Sequence, residues 1–91
     1  MENQHRKISG YRELSQAEID LMNEAKDLEA QCLKLHDKIR DHLLTQDTSK
    51  AVVLTRQLKA DPYRWLLNGK DNIEFGFMAL VRSIAQPQPK E

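Results

Sequence analysis

Between residues 16 and 44 the apolar side chains Leu21, Ala25, Leu28, Cys32, Leu35 and Ile39 recur at a 4-3-4-3-4 spacing. That interval returns each side chain to one face of a helix and describes a coiled-coil-like seam. Ile19, Met22, Leu33 and Leu43 widen the stripe, while Asp20, Glu24, Asp27, Lys34, Lys38 and Asp41 suit the solvent side. A helix of this length extends about 43 Å at 1.5 Å per residue. A compact domain of the same size has a radius of gyration near 12–13 Å, so a lone subunit does not cover such a stripe. The seam predicts an amphipathic helix that needs other copies of itself.

The start of that helix is sharply specified. Ser15 and Glu18 form an S-x-x-E capping box, and Leu14 with Ile19 supplies a hydrophobic staple. Tyr11 stands just ahead of it as an unburied aromatic, and Asn23 and Lys26 follow within the helix. At the other end TQDTSK, residues 45–50, gathers cap-forming polar residues that interrupt helices. Val52, Val53 and Leu58 resume an apolar pattern, read as a second helix. Asp61 before Pro62 marks a further start, and Gly69 after Asn68 the matching stop. Asp71 and Glu74 repeat the cap spacing, so a separate last helix is expected up to Ala85, ended by Gln86-Pro87. Its face of Ile73, Phe77, Leu80 and Ile84, spread by Phe75, Met78 and Val81, predicts that most of its circumference is buried. Gly76, Ala79 and Ser83 make a small-residue face where another backbone or a ligand comes close.

The expected fold class is therefore all-α: one long amphipathic N-terminal helix plus shorter C-terminal helices, assembled as a helical homo-oligomer. The 91 residues form one helical domain, with residues 1–7 flexible and 86–91 a disordered tail. A chain this small buries about 60–65% of its unfolded surface when it folds alone. Fourteen basic residues balance fourteen acidic ones, which argues against a charge-driven grip on long DNA or RNA. One cysteine, Cys32, excludes an internal disulfide and fits a reducing cytosol. No apolar run approaches a membrane span, and the polar start MENQHRK lacks the core of a signal peptide.

Catalytic constellations are lacking. His36-Asp37 is the HD dipeptide used by metal phosphodiesterases, but the further ligands are not arranged around it. His36 and His42 stand six apart, so one helix face cannot aim both at a metal, and both read as solvated. Cys32 lies in the apolar stripe with no helix N-terminus to activate it. No phosphate-binding glycine loop or nucleophile elbow occurs. The chain is read as a non-enzyme without metal or cofactor. Two groups of binding residues remain. Tyr11 and Lys26 offer a ring for a base, worth about 1–3 kcal/mol per stacked base, and an ammonium for a phosphate or guanine edge. Arg64, Trp65 and Arg82 form the second group, in which Trp65 reads as core and the arginines suit phosphate.

Two stretches, ISGYRELSQAEIDLMNEAK at residues 8–26 and DPYRWLLNGKDNIEFGFMALVRSIAQP at residues 61–87, carry a resemblance. Their G-Y-R, E-I-x-L-x-N-x-x-K, D-P-x-R-W and G-F-M-A-L-x-R-x-I-A-x-P patterns resemble the small phage anti-CBASS proteins that act as sponges for cyclic oligonucleotides. The likeness spans roughly half the chain and is least over residues 30–60. It implies an all-helical subunit of a homo-hexamer in the cytoplasm of an infected bacterial host. It further implies non-catalytic sequestration of cyclic dinucleotides such as 3′,3′-cGAMP between subunits, with Tyr11 and Lys26 at the base-contacting positions. Some members also hold cyclic trinucleotides at separate pockets, for which Arg64 and Arg82 are the candidates by their phosphate-binding chemistry. Two other readings compete: a helical oligomeric interaction or adaptor module with no nucleotide ligand, and a single-stranded nucleic-acid binder, which the charge balance disfavours.

Overall fold

The computed structural model describes residues 13–89. They form three helices, α1 (Gln16–Leu44), α2 (Ala51–Ala60) and α3 (Pro62–Ala85), and no strand. The capping box opens α1: the Ser15 hydroxyl accepts from the Glu18 N–H at 3.2 Å, and the Ser15 N–H donates to Glu18 Oε1 at 2.8 Å. Thr45 closes it, its N–H and hydroxyl both donating to the His42 carbonyl. In the turn that follows, Asp47 accepts from the Ser49 N–H at 3.0 Å and from its hydroxyl. Gln57 on α2 donates to Gln46 at 2.8 Å and ties the short helix to that turn.

The tertiary structure is chiefly α1 packed on α3. The half-buried residues of α1 are Glu18, Ile19, Met22, Ala25, Glu29, Cys32, Leu33, His36 and Leu43, a face rotated from the predicted stripe. The leucines that recur every seven residues are left outside it: Leu21 is 52% exposed, Leu28 45% and Leu35 58%. Among the described residues, Ala85 alone is buried. The radius of gyration is 19.7 Å and the molecule measures 62 × 29 × 16 Å, whereas a compact chain of this length would have a radius near 12 Å.

Several expectations are corrected. The expected stop at Gly69 and restart at Asp71 do not occur, for α3 runs unbroken through Asn68-Gly69. A helical glycine costs about 1 kcal/mol relative to alanine, but half-buried Leu66, Ile73 and Phe77 lie on one face across it. Packing against α1 holds both halves in one rod. Asp61 does not cap α3 through its side chain; it takes a left-handed conformation (φ 51°, ψ 56°) and closes α2 by donating its N–H to Gln57 at 2.7 Å. Aspartate is one of the few residues that visit this region readily, and Pro62 then starts α3. Most of the circumference of α3 is not buried within one chain, since Phe75, Met78 and Leu80 are exposed. Nor, among the described residues, does anything crowd the Cβ position of Gly76, where an added methyl would meet nothing within 4 Å. His36 is not a solvated surface residue, its side chain being only 12% exposed beside α3. Residues 86–89 are non-helical; the expected N-terminal flexibility over 1–7 lies outside the described residues.

Candidate ligand-binding site

Tyr11 lies outside the described residues. Lys26 stands on α1, ten residues past its first residue and so about 15 Å along the axis. It is exposed and, among the described residues, makes no hydrogen bond or ion pair. Over residues 16–30 it is the one cation among five carboxylates, Glu18, Asp20, Glu24, Asp27 and Glu29. That surrounding field opposes a bulk accumulation of phosphate. It suits an ammonium that hydrogen-bonds to neutral acceptors on a base edge, such as guanine O6 and N7.

Arg64 and Arg82 both lie on α3. Eighteen residues are five full turns, so they share a face yet stand about 27 Å apart along the axis. Within one chain they do not converge on one small ligand. Arg64 is held in place: Nε donates to Asp61 Oδ2 at 3.0 Å, and the guanidinium carbon sits 4.8 Å from the centre of the Trp65 ring. Trp65 is 60% exposed rather than part of a core, and this cation–π stack was not legible in the sequence. The aspartate three residues before Arg64 was the available signal for its ion pair. Arg82 has no ion-pair partner among the described residues.

An open groove of 390 Å³ lies between α1 and α3. Its walls are mainly apolar, from Cys32, Leu35 and Ile39 on one side and Trp65, Leu66 and Ile73 on the other. His36 and Lys70 supply its polar edge. The His36 ring nitrogen Nδ1 lies 3.0 Å from Asp37 Oδ1. That hydrogen bond, with the charges of Arg40 and Lys70, holds the Asp37 carboxyl below its ordinary range. Lys26, Arg64 and Arg82 do not line this groove, and its walls suit leucine-like side chains better than an anionic ring. Among the described residues no cluster of three or more His, Cys, Asp or Glu is placed to hold a metal, and no helix is long and apolar enough to cross a membrane.

No protein-family model matches the sequence. A curated protein does: Anti-CBASS protein 2 of Pseudomonas phage JBD67 is 42% identical across 97% of this chain and 98% of its own length. The alignment spans the middle segment, where the motif likeness is least, as well as the regions on either side of it. At this level and coverage, the chain belongs to the phage anti-CBASS protein family.

Proposed function

We propose that this protein antagonises bacterial cyclic-oligonucleotide immunity by sequestering cyclic di- or trinucleotide messengers without cleaving them. The observation that carries the reading is the near full-length identity to a protein named for opposing CBASS. Lys26 is compatible with it as an exposed cation with no ion pair among the described residues, free to reach a base edge. The elongated subunit with its uncovered apolar faces supports the view that binding occurs between copies. A cyclic dinucleotide is nearly two-fold symmetric, and an isologous pair repeats each contact about its two-fold axis. One Tyr11 and one Lys26 from each of two subunits then serve one base each. A homo-hexamer made of such pairs is the assembly proposed, with Arg64 and Arg82 of different subunits as candidates for a trinucleotide pocket.

Calorimetry with 3′,3′-linked cyclic dinucleotides tests the reading. Tyr11→Ala and Lys26→Ala should each weaken 3′,3′-cGAMP binding by about tenfold or more, as expected for loss of a stacked base or a charge-assisted contact, with oligomeric mass unchanged. Wild-type affinity in both variants would defeat the site assignment. Denaturing the complex should return the ligand intact, and linear products would indicate a phosphodiesterase instead. The seam of Leu21, Leu28 and Leu35 favours one alternative, an assembly module that binds no nucleotide. A stable oligomer that gives no heat with any cyclic nucleotide would establish it.

A further inference from the structure

Arg64 is exposed, yet its side chain is held from two directions. Nε donates to Asp61 Oδ2 at 3.0 Å, and the guanidinium carbon lies 4.8 Å from the centre of the Trp65 ring. The bond to Asp61 uses only the Nε side of the guanidinium, and among the described residues neither Nη nitrogen has a hydrogen-bond partner. We infer that Asp61 is a positioning residue for Arg64. It fixes the guanidinium by Nε against Trp65 and leaves the Nη1–Nη2 edge as a preset fork for the phosphate oxygens of a cyclic trinucleotide.

Three observations favour posing the arginine over merely stabilising the fold. The first is the exposure of the ion pair. Its side chains are 59% and 53% exposed, and pairs so well solvated add little to stability. The second is Trp65, which is 60% exposed, so burial within the chain does not account for its place. A platform for a cation does. The third is the stiffness of the joint between α2 and α3. Asp61 stands in the left-handed region, its N–H donates to the Gln57 carbonyl at 2.7 Å, and its carbonyl accepts from the Trp65 N–H at 3.4 Å. Pro62, whose ring fixes φ, follows at the start of α3. The carboxylate that tethers Arg64 is thus anchored through its own backbone on both sides, and the arginine and its platform rise from the same first turn. An untethered arginine loses many rotamers when it grips an anion, whereas a planar fork already set in one orientation loses fewer. Arg82, with no ion-pair partner among the described residues, has no such support.

The tether rests on the proposed trinucleotide pocket and deepens it by naming what orients one of its arginines. Asp61→Gly and Asp61→Asn separate the two roles of the residue, because both tolerate the left-handed backbone. Glycine removes the tether, and asparagine keeps a neutral acceptor for Nε. In calorimetry with 3′-linked cyclic triadenylate and a guanine-containing analogue, Asp61→Gly should weaken binding about three- to tenfold, the cost of ordering one long side chain on binding. Asp61→Asn should weaken it less. Affinity for 3′,3′-cGAMP and oligomeric mass should stay at wild-type values in both. A double-mutant cycle distinguishes posing from a structural role: in an Arg64→Ala background, Asp61→Gly should cost no further affinity. Trinucleotide affinity that is unchanged in Asp61→Gly would overturn the inference. So would a higher affinity, which would mean that the carboxylate competes with phosphate for Arg64, and so would an equal loss in the Arg64→Ala background. Each of these leaves sequestration standing. Wild-type protein that holds 3′,3′-cGAMP but neither trinucleotide would remove the pocket, and the tether with it.

Discussion

Asp37 shows how one residue ties the helix pair to pH. Its carboxylate is hydrogen-bonded to His36 at the groove and lies within 3.5 Å of Arg40 Nη1. The His36 bond lowers its pKa most, and the positive charges of Arg40 and Lys70 add to it. A carboxyl depressed in the folded state contributes stability above its unfolded pKa and loses it as pH falls through the folded value. The window is therefore acidic, from about pH 5 downward. Asp37→Asn should lose less of its melting temperature than wild type between neutral pH and about pH 3, an effect kept small by the exposure of the carboxylate. Parallel acid-melting curves for the two proteins would refute this contribution. At this scale the capping box was fully legible, because its two hydrogen bonds depend on residues three apart in sequence. The burial of His36 was not legible, because it depends on where α3 lies, which no local pattern around His36 encodes.

At the scale of elements, the seam and caps of α1 placed that helix correctly, and TQDTSK separated it from α2. The misreading fell on α3, where Asn68-Gly69 followed by Asp71 reads locally as a stop and a new cap. The helix persists because apolar residues continue on one face across the glycine, and tertiary packing overrides weak local propensity. This has a measurable consequence. Gly69→Ala adds a methyl into open space within a helix and should stabilise the chain by about 0.5–1 kcal/mol. Denaturant titration reads it directly. A destabilisation of similar size would mean that Gly69 ends a helix in a left-handed conformation, as the local sequence first suggests. The predicted apolar stripe was also only half right in its use. Ala25 and Cys32 turn partly towards the protein, whereas Leu21, Leu28 and Leu35 remain exposed.

The whole molecule is the scale on which function depends. A single chain reaches 62 Å, with Ala85 the sole buried residue among those described, so any partner that covered its faces would add to its stability. The expectation of assembly rests on the length of the seam against the size of the chain. The proposed ligand site has no signal in the periodicity. Lys26 by itself is an ordinary exposed lysine, and Tyr11 gains meaning only beside it and through the family resemblance. The separation of Arg64 and Arg82 by five helical turns keeps the two from meeting one small ligand within a single chain. The most direct test is native mass spectrometry of the intact protein mixed with 3′,3′-cGAMP and a cyclic trinucleotide. The account predicts an oligomer carrying intact ligand in whole-number stoichiometry, with no ligand retained on free subunits. Monomers at all concentrations, or an oligomer that retains neither nucleotide, would contradict it.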